Sequence, residues 1–401
     1  MIISPLTISW IIFFVLILNP DLNYVGSIWW GTIGSFLTIN AYFAAKRLLQ
    51  YRKIPVHYLI WNLSFLFIVG LSTTWSVHPS SSAEMMRLLF VIGLTMWVIS
   101  FNIDNRKIFN SILWCFLIAN LINVIYILPS INLSELINMR LGSYQLGEKW
   151  NSNVIGMAAA LATFMGIFLL RDIRTRQSRL LVILSIAVLS VIVVVTGSKK
   201  ALFLLLFLPS MYYYLNSQRR LSSLVLIGIG GMIIFYALLN HPLLYGMIGH
   251  RLESVLLYMN MGIAEDTSIY LRANMLEHGF ELIQENPIFG YGINTFNTLY
   301  GNSTAFYTYS HNNYIEIAVG VGLFGTLIYY SYALFNYYKV KTKSDRYAIL
   351  AKTLILGMLI NDIGLVSYLS FYTQFILVII FASTYLSREV EVIPRTQLIQ
   401  Q

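Results

Sequence analysis

Twelve long apolar runs, separated by short polar stretches, constrain this chain more than any other feature. A bilayer is crossed by about 20 apolar residues in helical conformation, and the pattern excludes a soluble globular enzyme. Composition agrees, because 57% of the 401 residues are hydrophobic and 11% are charged, against about 25% charged residues in a soluble domain. We therefore predict an all-α, polytopic transmembrane helical bundle of about 12 spans, forming a single integral membrane domain over residues 1–401. The runs cover residues 4–18, 25–45, 54–71, 87–101, 108–128, 153–170, 180–195, 201–215, 221–239, 312–335, 348–366 and 369–386.

The basic residues are distributed unevenly between the two sets of loops. Eighteen of the 26 Lys and Arg residues fall in one set, which includes both termini, and seven fall in the opposite set. Cytoplasmic loops carry the excess of Lys and Arg in membrane proteins, so we expect both termini in the cytoplasm. The net charge of +9 is then mostly a topology signal, and no nucleic-acid partner is predicted.

One external connection is far longer than the others. Residues 240–311 join the ninth and tenth runs, whereas bundled helices are usually joined by about 2–8 residues. The segment is rich in aromatic residues and is not low-complexity, so we expect it to be ordered. Residues 267–284 are predicted to form a helix, capped by Asp266 or Thr267 and ended by the proline of Asn286-Pro287. Its apolar stripe is predicted at Ile269, Ala273, Leu276, Phe280 and Ile283.

Two adjacent lysines lie at an external turn, where topology does not call for positive charge. The sequence Thr196-Gly197-Ser198-Lys199-Lys200 is a tight connection between two apolar runs. One interpretation is that both lysines extend to the interface and meet lipid headgroups. The other is a cationic site for a phosphate carried by a lipid, because lysine is a compact point charge suited to that ligand.

Arg272 lies inside the predicted loop helix without an acidic residue at the spacing of an in-helix ion pair. The residues three and four positions away are Ser268, Ile269, Met275 and Leu276. Arg272 is therefore either an exposed arginine paired loosely with an acid from another loop, or a bidentate clamp for a phosphate.

His311 precedes the tenth run, in the sequence His311-Asn312-Asn313-Tyr314. The dipole of a helix N-terminus disfavours a protonated imidazole, so a neutral histidine can act there as a base or hydrogen-bond partner near pH 7. The alternative is an interfacial histidine with a structural role. Glu316 lies a little over one turn further along and is costly in a bilayer unless it is paired or hydrated.

Other motifs point to neither a metal nor a cofactor. The single cysteine, Cys115, lies in an apolar run and excludes an intramolecular disulfide. The chain has no P-loop and no H-x-x-x-H pair, and Asp21 is the only acid of the first external loop. Gly320, Gly322 and Gly325 are predicted to allow close helix packing.

These motifs together resemble the O-antigen polymerase and O-antigen ligase superfamily, the membrane proteins that extend or transfer lipid-linked bacterial glycans. Thr196-Gly197-Ser198-Lys199-Lys200-Ala201 is similar to the family's T-x-S-R segment, in which a basic residue binds pyrophosphate, with Lys199 where arginine is usual. The other matching features are the twelve runs with a large loop after the ninth, Asn151-x-Asn153, Ser268-x-x-x-Arg272 followed by Asn286-Pro287-Ile288-Phe289-Gly290-Tyr291-Gly292, and His311-Asn312 followed by Gly322-Leu323-Phe324-Gly325.

The resemblance implies a glycosyltransferase of the bacterial inner (plasma) membrane, with an active site on the external or periplasmic face that lies partly in the 240–311 loop. Donor and acceptor would be glycans linked to undecaprenyl pyrophosphate, and no metal or cofactor is implied. Lys199, Lys200 and Arg272 would bind the pyrophosphate, and Arg272 and His311 would be the catalytic residues, with His311 orienting or deprotonating the attacking hydroxyl. The implied supporting residues are Asn153, Ser198, Asn312, Asn313 and Glu316.

Three functions stay open. Residues 309–314 and the Gly-Ser-Lys-Lys turn are similar to capsule or exopolysaccharide polymerases, which favours polymerisation of lipid-linked repeat units over transfer of finished chains to a lipid A core by a ligase. Partners would include the bilayer, a chain-length regulator and a flippase. The third function is a transporter or lipid flippase, for which Lys352 and Asp362 in the eleventh run are the polar residues that could lie on a transport path.

Overall fold

The computed structural model describes residues 4–23, 26–50, 56–131, 141, 146, 150–261, 267–340 and 345–388. These residues form helices joined by turns and irregular segments, with no strand among them. Polar N-cap side chains start many of the helices by accepting a backbone N–H, as Ser4 does from Thr7 and Asn105 does from Ile108. Within the described residues, the helices of eight or more residues are α1 (Pro5–Leu18), α2 (Gly26–Gln50), α3 (His57–Ser72), α4 (Pro79–Asn102), α5 (Arg106–Ile127), α6 (Ser152–Leu169), α7 (Arg176–Val195), α8 (Lys199–Asn216), α9 (Arg220–Asn240), α10 (His250–Met261), α11 (Thr267–Glu285), α12 (Phe296–Thr304), α13 (Asn313–Lys339), α14 (Arg346–Asn361) and α15 (Phe371–Arg388).

Each of the twelve predicted apolar runs coincides with one helix, α1 to α9 and α13 to α15. Six helical segments are long and apolar enough to cross a membrane, and three further apolar helices are shorter. The all-α membrane bundle is therefore confirmed, and the protein is a multi-pass membrane protein. The number of twelve spans stays a prediction. The six segments are Pro79–Asn102, Arg106–Ser130, Ser152–Asp172, Arg176–Val195, Arg220–Asn240 and Asn313–Lys339.

The chain divides into two compact units, Met1–Arg52 with Asp104–Glu265 and Lys53–Ile103 with Asp266–Gln401. The single membrane domain predicted for the whole chain stays a prediction. The predicted external loop is shared between the units, because α10 belongs to the first and both α11 and α12 belong to the second.

In the first unit, α6 is the central helix. It packs against α5, α7 and α8, and small side chains such as Ala158, Ala159 and Ala162 are buried along it. Small residues let helix backbones approach closely in a membrane protein. This close packing holds the start of α6 against the turn that joins α7 to α8.

In the second unit, α13 is the common partner of the other helices. It packs against α3, α11, α14 and α15, and the indole of Trp61 on α3 donates to the Tyr329 carbonyl at 2.9 Å. The N-terminal end of α13 carries the predicted histidine motif, so the packing of the whole unit fixes the position of that motif.

The loop helix α11 matches the predicted range within one residue. Ile283 of the predicted apolar stripe packs against a buried cluster, but the stripe is wrong at Leu276 and Phe280. Leu276 and Phe280 are exposed, and the buried positions are Met275 and Leu282. The physical reason is Gly279, where a Cβ atom would overlap the Ile315 side chain of α13. The helix buries the face that contains this glycine, which a count of apolar side chains does not register. The predicted cap falls on Asp266 and on the Thr267 side chain, which lie outside the described residues.

Of the three glycines predicted to allow close packing, Gly325 faces Ile68 of α3, where an added Cβ would lie 3.2 Å from that side chain. At Gly320 and Gly322 the close packing takes the form of a break in α13. Gly322 has φ 68° and ψ 178°, outside the helical region, and a Cβ there would overlap the Ile288 carbonyl oxygen. Residues 287–292 pair with the broken helix through three backbone hydrogen bonds of 2.8 Å, from Leu323 to Pro287, from Tyr291 to Val319 and from Gly292 to Gly320. The bonds satisfy non-helical backbone that lies about 13 Å along the helix from its start.

Candidate functional site

The turn between α7 and α8 is built by three residues in different conformations. Thr196 is fully buried and its hydroxyl donates to the Val193 carbonyl at 2.7 Å. Gly197 has a positive φ of 57°, which glycine adopts without steric cost. Ser198 caps α8, because its Oγ accepts from the Ala201 N–H at 3.3 Å. Lys199 and Lys200 are consequently the first two residues of α8.

A second predicted motif meets this turn. Asn151 caps α6 by accepting from the Asn153 N–H at 2.8 Å, and the Asn153 side chain in turn accepts from the Ser198 hydroxyl at 2.8 Å. One turn further along α6, a Cβ atom on Gly156 would lie 2.6 Å from the Thr196 hydroxyl. Asn153 and Ser198, which were predicted as supporting residues, are therefore in direct contact.

Lys199 and Lys200 stand at a favourable place for an anion. Both are half-buried in the first turn of α8, where the helix dipole favours negative charge. Their own positive charges add to that field. The hydrogen bond between Ser198 and Asn153 fixes the helix start, so the two ammonium groups project from a rigid base.

The second set of predicted residues lies around His311. The Tyr309 and His311 rings have centroids 4.1 Å apart, and His311 is half-buried with a positive φ of 57°. Burial raises the pKa of the Tyr309 phenol, the charge of Arg272 acts against that rise, and the charge of Glu316 adds to it. Arg272 and His311 therefore share Tyr309 as a neighbour, one through its charge and the other through ring contact.

The Glu316 carboxylate has a structural partner. It is 3% exposed and accepts from the Ser310 N–H at 2.8 Å. The Ser310 hydroxyl donates to the Asn312 carbonyl at 2.8 Å, and Asn312 caps α13 by accepting from the Ile315 N–H at 3.1 Å. These bonds on both sides of His311 hold it in its left-handed conformation, which is uncommon for a residue other than glycine.

Asn313 anchors the same segment to the end of α14. It is fully buried, its Oδ1 accepts from the backbone N–H groups of Ser367 and Tyr368 at 2.9 and 3.1 Å, and its Nδ2 donates to the Asp362 carboxylate at 3.1 Å. Its backbone N–H also donates to the Asp362 carbonyl at 2.8 Å. The predicted supporting role of Asn313 thus has a physical counterpart, which is to position the histidine segment.

Asp362 was not predicted as a site residue. Its buried carboxylate accepts from the Ser367 hydroxyl at 2.6 Å and from the Tyr330 hydroxyl at 2.9 Å, besides the Asn313 amide. The sequence shows that Asp362 is an acidic residue inside an apolar run. It does not show that its partner is Asn313, which lies 49 positions earlier in the chain. Lys352, the other charged residue of that run, lies over the Tyr337 ring at 5.5 Å.

Among the described residues, no three His, Cys, Asp or Glu side chains are grouped so as to hold a metal ion.

Asp21 accepts a hydrogen bond from the Trp150 indole at 2.9 Å. That bond gives the acid between the first two apolar runs a structural partner.

Residues 184–330 match the family model described as O-antigen ligase. The matched segment runs from α7 to α13 and contains Lys199, Arg272 and His311. The match confirms the resemblance to the O-antigen polymerase and ligase superfamily over this segment, and it supports a membrane glycan-processing role. A comparison with curated proteins finds no match.

Proposed function

We propose that this protein polymerises undecaprenyl-pyrophosphate-linked oligosaccharide repeat units into a surface polysaccharide, which is an O-antigen, a capsule or an exopolysaccharide. The reaction is a metal-independent glycosyl transfer on the external face of the bacterial inner membrane, with both termini in the cytoplasm. The observation that carries the proposal is the family match over residues 184–330, which contains all three motifs with charged or titratable residues.

The basic residues act on the leaving group. The bond between the anomeric carbon and the pyrophosphate oxygen breaks, and negative charge develops on that oxygen. Lys199 and Lys200 bind phosphate oxygens as point charges at the start of α8, and Arg272 binds them through its planar fork. Preorganised positive charge of this kind stabilises a developing anion without reorganisation during the reaction.

His311 acts on the acceptor. A sugar hydroxyl of the acceptor glycan attacks the anomeric carbon, and its proton passes to the neutral imidazole as the new glycosidic bond forms. Contact with Tyr309 and the anchored segment around Asn312 and Asn313 hold the ring in one orientation. A single displacement inverts the configuration of the anomeric carbon.

A reconstitution tests the proposal directly. The purified protein in liposomes receives lipid-linked repeat units, and the size of the product is analysed on a gel. A ladder of multiples made by this protein alone is the expected result. If no ladder forms when active repeat units are supplied, the polymerase proposal is wrong.

Site variants then test the residue roles. Arg272→Ala and His311→Ala are expected to lower turnover by at least about a hundredfold. Arg251→Ala in α10 and His278→Ala in α11 are matched controls and should keep near-normal turnover. His278 contacts Glu281 at 3.4 Å, away from any proposed role. Unchanged turnover in both site variants would remove these residues from the mechanism.

The second candidate is a ligase, because the matching family model is described as O-antigen ligase. The ligase reaction needs a lipid A core as acceptor and makes one glycosidic bond per acceptor. Adding that acceptor to the same liposomes separates the two functions. A ligase moves the glycan to the lipid A core in one step, whereas a polymerase keeps making its ladder when the core is absent. A chain-length regulator and a flippase are the expected partners of the polymerase.

A further inference from the structure

An open apolar groove of about 660 Å³ runs between α8 and α9. Both helices belong to the first unit, and α9 is only 11% buried along its most apolar window. Three of the groove's lining side chains, Phe203, Phe207 and Tyr213, are aromatic. Its lining is Phe203, Leu206, Phe207, Pro209, Ser210, Tyr213, Leu226, Ile227, Gly230, Gly231 and Ile234.

The groove lies on the same face of α8 as the lysines of the turn. Side chains four, seven and eleven positions apart share one face of a helix. Counting from Lys199, these spacings reach Phe203, Leu206 and Ser210, all of which line the groove. A positive charge therefore stands at the external end of an apolar groove, and the groove lining from Phe203 to Tyr213 extends about 15 Å along the helix below it.

The floor of the groove is open at two glycines of α9. A Cβ atom built on Gly230 or Gly231 meets no atom within 4 Å, and the same is true of Gly228, which does not line the groove. The space next to Gly230 and Gly231 is therefore available to a ligand. A Cβ atom can be placed at either position without displacing any described atom.

We infer that this groove binds the polyprenyl chain of the donor lipid, with the phosphates of that lipid at Lys199 and Lys200. The inference rests on the proposed function, since it assigns a place to the apolar part of the same substrate. Charge complementarity selects the occupant, because an anionic head joined to a long apolar chain matches a cationic helix start above an apolar groove. A second apolar groove of about 750 Å³, in the other unit, serves as a contrast, because its lining of Leu63, Ser64, Leu66, Phe67, Ile68, Met86, Phe90, Phe324 and Ile328 includes no cation.

Filling the groove tests the inference. Gly230→Leu and Gly231→Leu place a branched side chain in the groove, and Gly228→Leu is the matched control on the same helix. Each variant is assayed with a donor that carries the full polyprenyl chain and with a donor that carries two isoprene units. With the long-chain donor, the groove variants should raise KM by about tenfold or more, while Gly228→Leu keeps the KM of the unaltered protein. With the short-chain donor, all variants should match the unaltered protein.

Two results would overturn the inference. One is an equal effect of Gly231→Leu and Gly228→Leu with the long-chain donor. The other is an equal loss with both donors in the groove variants, which would mean that the substitutions distort the helices rather than block a chain. Absence of product from either donor with the unaltered protein would instead refute the proposed function.

A binding measurement without turnover tests the groove independently of the proposed reaction. Undecaprenyl pyrophosphate without a sugar is titrated into the detergent-solubilised protein and followed by native mass spectrometry. Gly231→Leu should weaken binding by about tenfold, and Gly228→Leu should not. If phosphatidylglycerol displaces the probe at equal concentration, the groove is an ordinary lipid-facing surface and the inference fails.

Discussion

The pair formed by Asn313 and Asp362 allows a reciprocal exchange of donor and acceptor. In the protein, the Asn313 amide donates to the Asp362 carboxylate across 3.1 Å. Asn313→Asp places a second carboxylate at that distance, with no N–H between the two oxygens. Asp362→Asn is milder, because the new amide can turn its NH₂ group toward the Ser367 hydroxyl and leave an oxygen to accept from Asn313.

The magnitudes follow from burial, since both side chains are fully buried. Asn313→Asp should cost about 3 kcal/mol in the free energy of unfolding, because it leaves a buried charged group unsatisfied. Asp362→Asn should cost about 1 kcal/mol through loss of charge-assisted hydrogen bonds. The double variant restores one donor facing one acceptor. It should therefore recover about 2 kcal/mol of the stability lost in Asn313→Asp, and this recovery is the coupling energy between the two positions.

Denaturant titration of the detergent-solubilised protein measures these differences for the two single variants and the double variant. Asn336→Asp is the control, because Asn336 is equally buried on α13 but donates to the Tyr332 carbonyl instead. Combining Asn336→Asp with Asp362→Asn should restore none of the stability that Asn336→Asp loses. Strict additivity of Asn313→Asp and Asp362→Asn would refute the assignment of this hydrogen bond as the link that anchors the histidine segment.

Three further predictions concern the fold and the proposed reaction. Ser198→Ala removes the hydrogen bond to Asn153 and the N-cap of α8. It should lower the free energy of unfolding by about 1 kcal/mol and raise the KM for the donor. An unchanged KM would mean that this turn has no part in donor binding. Gly279→Val should destabilise the protein by about 1–3 kcal/mol in thermal unfolding, because the valine side chain would overlap Ile315. Leu276→Ser, at an exposed position, should leave the stability unchanged. If Leu276→Ser destabilises the protein more than Gly279→Val does, the predicted stripe is the packed face. Glycosyl transfer should persist in excess chelator, because basic side chains neutralise the leaving group, and restoration of lost activity by Mg²⁺ would contradict the proposal.

The membrane helices could be predicted because each requires only a local property, an apolar run of sufficient length. The same holds for α11, whose polar start and following proline are local signals. α10 and α12 were not predicted, since both are short and mix polar with apolar residues. A sequence of the kind Phe296-Asn297-Thr298 carries little helical signal until neighbouring elements bury its aromatic residue.

The parts of the site that escaped prediction depend on contacts between distant residues. The buried face of α11 is determined by Gly279 and by Ile315 on another helix. Neither residue contributes to the apolar periodicity of the α11 sequence. Asp362 was noticed for its charge, but its role depends on Asn313, which is far away in sequence. The two motifs around Asn153 and Ser198 were noticed separately, and only the fold shows that one accepts a hydrogen bond from the other.

The break in α13 also has a consequence for biosynthesis. Residues 287–292, which pair with the broken helix, precede it in the chain and leave the ribosome first, as N-terminal segments do. The partner of Gly322 is therefore already present when α13 enters the bilayer, so the exposed peptide groups at the break never have to wait in lipid without a partner. Asn313 must wait instead for Asp362 and Ser367, about 50 residues later. The break in the middle of α13 can thus find its backbone partners before the N-terminal end of the helix does, and the histidine segment is the last part of α13 to be anchored.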